Sequence, residues 1–241
     1  MKTILIGFVA AAAAAAIAAT AAGPARAADE CRGLQVCLPV AGPWVVVPPA
    51  GQLPVDYELR CPLPAYVVAG VDARLASVGI DVWFRGETGS PVGPGVTTGN
   101  ALLFTAVSTG PGRGPTSFRP FIGCVPASGG GGRALTAFAA ARPGGRRPAR
   151  LVERTVVTRR VRAGETVMTV RCPRGLRLVG GAHAVAFRTA EPPPPRLLTA
   201  VRVVRSAVGT AIVARVNVAP GVLGGVRAEV QVQAQCRKAA S

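Results

Sequence analysis

The chain has 241 residues, with 28 Lys and Arg against 11 Asp and Glu, a formal charge of +17 at pH 7 and a single histidine. Its apolar content is 49%, its aromatic content only 5%, and it holds 30 Gly, 22 Pro and 6 Cys. No two cysteines stand at Cys-x-x-Cys spacing, so zinc and thioredoxin-type chemistry have no foothold, and neither a metal nor a cofactor is expected.

Residues Met1 to Ala27 read as a signal peptide: Lys2 supplies the positive start, Ile4 to Ala22 the apolar stretch, and Ala25-Arg26-Ala27 the small-x-small processing site. The stretch is mostly Ala, which favours cleavage after Ala27 over retention as an anchor. No later segment is apolar and uninterrupted enough to span a bilayer as a helix. All six cysteines, Cys31, Cys37, Cys61, Cys124, Cys172 and Cys236, follow that site, and an even count in an exported chain favours disulfides. A secreted or envelope location, outside the cytoplasm, is therefore expected.

The remainder divides into an N-terminal segment (28–40) with a small Cys31–Cys37 loop, a first β-module (41–127), a Gly/Arg/Pro-rich linker (128–150) and a second β-module (151–241). In the first module strands are expected near Trp44 to Val47, Val55 to Cys61, Ile80 to Phe84, Ala101 to Val107 and Phe118 to Cys124, with Gly/Pro loops over 86–99 and 110–115. The linker carries a four-glycine run and room for a helical turn or two over 134–142. In the second module strands are expected over 154–161, 166–172, 182–189, 197–205 and 212–218, and Glu191 to Pro195 reads as a stiff polyproline II spacer. From Val226 to Cys236 the period is 2: Val226, Ala228, Val230, Val232, Ala234 and Cys236 share one face, and Arg227, Glu229, Gln231, Gln233 and Gln235 the other. That is a half-buried antiparallel strand ending on an inward cysteine.

The two modules repeat. Arg60-Cys61-Pro62 recurs as Arg171-Cys172-Pro173 at a shift of 111, Val68-Ala69-Gly70 aligns with Val179-Gly180-Gly181, and Ala101-Leu102-Leu103 aligns with Ala211-Ile212-Val213 at 110. Each copy closes on a cysteine, Cys124 or Cys236. Matches in one order at a nearly constant offset mark a duplication. Repeated units most simply close on themselves, which predicts Cys61–Cys124, Cys172–Cys236 and Cys31–Cys37 among the possible pairings. The expected fold is all-β: two tandem disulfide-closed antiparallel modules, each a sandwich or small barrel. The Cys172-Pro173-Arg174-Gly175 stretch, the Gly180-Gly181 pair and the closing Cys236 resemble a pattern of uncharacterised exported proteins of high-GC bacteria, in which these features mark a β-domain. The resemblance implies export and a β fold, and no particular chemistry.

No catalytic motif is present. His183, the sole histidine, aligns with Asp72 and reads as a strand residue rather than a general base. Gly-x-Ser-x-Gly and His-Glu-x-x-His are absent, and the Gly/Pro loops 93–95 and 110–114 lack the backbone donors and following lysine of a phosphate cradle. The acids Asp56, Glu58, Asp72, Asp81 and Glu87 are the material for an alternative reading, a carboxylate-dependent hydrolase of envelope glycans. Of the large amphipathic aromatics Trp44, Tyr57, Tyr66 and Trp83, the last is the candidate sugar platform.

Charge is unevenly placed. Removal of Lys2 and Arg26 with the signal leaves +15; residues 41–126 balance five Arg with five acids, whereas 151–241 carry fourteen Arg and Lys238 against four acids, a charge of +11. Genome-wide codon bias acts on both copies alike and does not explain this contrast. Arg159, Arg160, Arg162, Arg171, Arg174, Arg177, Arg202, Arg205 and Arg215 are the candidate polyanion-binding set, since guanidinium groups contact phosphate and carboxylate bidentately. Without interleaved aromatics the expected partner is an anionic wall or surface polymer rather than nucleic acid. The function expected is that of a non-enzymatic exported protein, with a structural or assembly role as a further alternative.

Overall fold

The computed structural model describes residues 31, 36–86, 99–112, 114–126 and 152–238. The expected signal peptide, the expected linker with the helical turn placed in it, Glu87 and most of the 86–99 loop lie outside the described residues. The described elements are β1 (Leu38–Ala41), β2 (Trp44–Val47), β3 (Val55–Arg60), β4 (Tyr66–Leu75), β5 (Ile80–Gly86), β6 (Ala101–Ser108), β7 (Thr116–Pro126), β8 (Glu153–Val161), β9 (Gly164–Arg171), β10 (Leu176–Arg188), a one-turn helix α1 (Pro195–Leu198), β11 (Val201–Val208), β12 (Ala211–Val218) and β13 (Arg227–Lys238). The fold is all-β, as its β-branched runs dictate. β1 and β4 join the strands expected from the sequence. The polyproline stretch is not wholly extended: Pro194 has φ −64° and ψ 156°, but Pro195 opens α1, where a fixed φ and a missing N–H suit a helix's first position.

All pairing is antiparallel. A seven-stranded sheet runs β1-β7-β2-β10-β13-β8, with β4 also on β7; two three-stranded sheets, β3-β6-β5 and β11-β12-β9, complete the fold. The pairings of the first half recur in the second, β4 with β7 like β10 with β13, and β3-β6-β5 like β9-β12-β11. The halves are not joined by a linker alone. β2 pairs with β10, Val45 opposite Ala186 and Trp44 opposite Phe187, so one sheet is continuous through both. Each small sheet covers a different face of it. Val45, Val47, Ala184 and Ala186 enter the core under β3-β6-β5, whereas Phe187 belongs to the core under β11-β12-β9, with Val46 and Val185 packed against it.

A β-bulge sharpens the repeat alignment. Val68 faces Cys124 and Gly70 faces Gly123, skipping Ala69; Leu178 faces Cys236 and Gly180 faces Gln235, skipping Val179. The structural partner of Gly70 is thus Gly180, and the offset here is 110. His183 therefore corresponds to Ala73 and not, as the motif alignment implies, to Asp72. A one-residue slip moves a strand residue to the other face, and His183, opposite Val232, lies on the core side of β10. Beside the bulge Gly181 is required: a Cβ there would lie 2.5 Å from Ile212 Cγ1.

The disulfides are Cys31–Cys37, Cys61–Cys124 and Cys172–Cys236, spanning 6, 63 and 64 residues, and no free cysteine is found among the described residues. Each long bridge ties the residue just after the first strand of a three-stranded sheet, β3 or β9, to the last strand of its half, β7 or β13. Loop-closure entropy alone makes each worth about 4 kcal/mol. Three such bridges belong to an oxidising compartment outside the cytoplasm.

Candidate binding surfaces

The polar side of β13 is not a solvated face. Glu229, Gln231 and Gln233 are buried, Gln233 completely, because β3 of the first half lies over them. β3 pairs with β6 along one edge, which leaves the peptide groups of its other edge in need of partners. Glutamine side chains supply them. The Glu58 N–H donates to Gln231 Oε1 at 2.7 Å, Gln231 Nε2 donates to the Glu58 carbonyl at 3.0 Å, and Gln233 Nε2 donates to the Asp56 carbonyl at 3.2 Å. The Tyr57 hydroxyl donates to Glu229 Oε1 at 2.9 Å, and Glu229 is also ion-paired with Arg188 at 3.0 Å. Burial, reinforced by the neighbouring Glu229 carboxylate, pushes the Tyr57 phenol far above its usual range. Alternation in the sequence tells which residues share this face, but β3 arrives from the other half of the chain.

The nine arginines fall on several surfaces. Arg171, Arg202 and Arg215 lie on the outer face of β11-β12-β9, where Arg202 stands opposite Asn217, itself opposite Glu165, and Val204 opposite Arg215, itself opposite Val167. Arg215 is paired with Glu165 at 3.4 Å. Arg159 and Arg160 occupy opposite faces of the edge strand β8, facing Val230 and Glu229 respectively. Arg162 lies in the turn after β8, Arg174 in the turn before β10, and Arg177 at the start of β10 opposite Arg237. Arg205, opposite Ala214, sits on the inner side of β11.

On the outer face the three-stranded sheet and α1 enclose a groove of about 780 Å³, lined by Arg196, Arg202, Arg215, Glu165, Asn217 and Thr199 among others. Arg196 is the residue that sequence reasoning missed: it reaches the groove because Pro195 turns the chain into α1. Three guanidinium groups against one carboxylate make this a net positive, partly apolar trough.

His183 borders a separate cleft of about 580 Å³ between the 48–54 loop and β10. Its Nδ1 is buried without a hydrogen-bond partner, so no carboxylate orients the ring through that nitrogen. Burial, with Arg205 nearby, lowers its pKa to about 4 and keeps the ring neutral at pH 7. The carboxylates are occupied or apart. Asp56 accepts the Thr105 hydroxyl at 2.7 Å, Glu58 is held by Arg60 at 2.6 Å, Asp72 accepts the Ala73 N–H, and Asp81 stands on β5. Glu87 lies outside the described residues.

The aromatics divide. Trp44 is fully buried beneath the Arg74 guanidinium, 5.6 Å from its ring, Tyr57 belongs to the seam, and Tyr66 packs against the first core. Trp83, 42% exposed, lies on the outer face of β3-β6-β5 in one cross-strand row with Thr105 and Asp56. Among the described residues no helix is long and apolar enough to cross a membrane, and no three His, Cys, Asp or Glu side chains are grouped to hold a metal ion.

Together these features define a disulfide-bonded all-β protein of an oxidising compartment, with a basic groove on one sheet. Comparison with known proteins finds no matching family model, no matching curated protein and no matching solved structure.

Proposed function

We propose that the chain is an exported, non-enzymatic protein of the cell envelope or extracellular space that binds anionic surface polymers through the outer face of β11-β12-β9. The supporting observation is the groove that Arg196, Arg202 and Arg215 line, with Glu165 the one acid among its described lining residues. Guanidinium groups a few residues apart on neighbouring strands match the repeated phosphates or carboxylates of a linear polymer. Arg171, four residues beyond the Arg215–Val167 pair along β9, extends the same face. The exported state rests on Met1 to Ala27 and on the disulfides. The exposed Trp83 beside the Asp56–Thr105 pair favours a second contact, to sugar rings of the same polymer.

Binding of the mature protein to long-chain inorganic polyphosphate, titrated across salt concentration, tests the reading. An affinity falling steeply as salt screens the charges supports it. Salt-independent binding, or none at low salt, sinks it.

A further inference from the structure

Beyond polymer binding, we propose that the free edge of β10 from Leu178 to Val185 is a docking track for an extended, acidic peptide segment of a partner protein. The segment adds as a strand antiparallel to β10, in line with β2, and presents a carboxylate to Arg205.

β13 pairs with β10 along its whole length, from Leu176 to Arg188. On the other edge β2 reaches only Ala186 and Phe187. The chain then leaves through Pro48-Pro49, since Pro cannot donate to a ladder. Between 178 and 185 no described strand takes up that edge, and alternate peptide groups there point away from β13. The eight residues span roughly 25 Å at the rise of a β-strand.

The vacated line is bordered by shallow depressions. Two cavities, of about 580 and 440 Å³, lie along Ala182–Val185 and Leu178–Gly181 and share Arg205. The 48–54 loop walls one and the Arg205–Ala207 stretch of β11 the other. The side chains are also those of a receptor strand. Open edges are ordinarily blunted by charge or proline, and β8 carries Arg154, Arg159 and Arg160, while β4 carries Asp72 and Arg74. From Val179 to Val185 β10 has neither. Among the described residues that line the two cavities there is no Asp or Glu, and Arg205 is the one positive point. Exposed Leu53 and Val179 offer apolar contact at either end. β2 already demonstrates the geometry, because its pairing with β10 is the interface that the guest strand prolongs. Main-chain hydrogen bonds then give affinity, and Arg205 gives selectivity.

The probe is the capped heptapeptide Thr-Val-Asp-Val-Glu-Val-Thr, which alternates acidic or hydroxyl with apolar side chains, added to the full mature protein. Hydrogen exchange is expected to slow at amides within 178–185. Arg205→Ala, an exposed position, is expected to weaken binding about tenfold, and N-methylation of the peptide's edge-facing amides to abolish it. Equal binding of the N-methylated peptide, protection on β4, β5 or β8 instead, or no binding at about 1 mM would overturn the proposal. Protection of 178–185 that grows with protein concentration in the absence of peptide would also overturn it, assigning the edge to a second copy of the chain.

Discussion

The Tyr57 hydroxyl meets Glu229 Oε1 at 2.9 Å across 172 residues of chain, and this one contact ties a strand of the first half to the last strand of the second. With Gln231 and Gln233 it makes the two repeats a single cooperative body. Unfolding in urea should accordingly show one transition by tryptophan fluorescence and by far-UV circular dichroism, although both tryptophans, Trp44 and Trp83, lie in the first half. Two resolved transitions would contradict a shared seam.

Gln231 serves both the N–H and the carbonyl of Glu58, so Gln231→Ala strands two buried peptide groups. A loss of about 2–4 kcal/mol is expected from two unsatisfied groups. Tyr57→Phe should cost about 1–2 kcal/mol, because it removes one bond to a charged partner. Denaturant midpoints of the two variants give the comparison, and a Gln231→Ala protein as stable as wild type would deny the edge-capping role.

Gly181 lies where backbone and side chain meet. A Cβ at 2.5 Å from Ile212 Cγ1 forces the Ile212 side chain to shift, so Gly181→Ala should destabilise by about 1–3 kcal/mol. Combining it with Ile212→Ala should recover part of that loss, readable as non-additivity in a double-mutant cycle.

Acid should act through His183. Its folded pKa, about 4, lies below the ordinary 6.5, so the unfolded chain binds the proton first. Stability from this group is complete above about pH 6.5, declines as pH falls toward 4, and is gone below that. The largest loss is roughly 3 kcal/mol. His183→Gln should flatten the decline between pH 6.5 and pH 4 in thermal unfolding. An unchanged slope would place the acid sensitivity elsewhere.

Much of this architecture is legible in the sequence. Strict alternation identifies β12 and β13, a valine run identifies β2, apolar and aromatic residues between turn signals identify β3 and β6, and the 111-residue repeat leads to the bridges Cys61–Cys124 and Cys172–Cys236. Other features are hidden for physical reasons. The bulge at Val179 breaks the period of β10, so its first half looks like loop and His183 aligns with the wrong neighbour. Gly70 and Asp72 interrupt β4 in the same way. Alternation assigns Gln231 and Gln233 to one face but is silent on what covers it, and glutamine rows look the same in water and against a strand edge. Arg196 reaches the groove only through the turn made at Pro195, which spacing along the chain does not reveal.

Arginine placement is the most direct test of the functional account. Two triple variants remove equal charge, Arg196→Ala/Arg202→Ala/Arg215→Ala from the groove and Arg159→Ala/Arg160→Ala/Arg162→Ala from β8 and its turn. In polyphosphate titrations at about 50 mM salt, the groove variant should bind at least about tenfold more weakly than wild type, and the β8 variant should stay within about threefold. Equal weakening of both, or none in the groove variant, would contradict an anion-binding site on the outer face of β11-β12-β9.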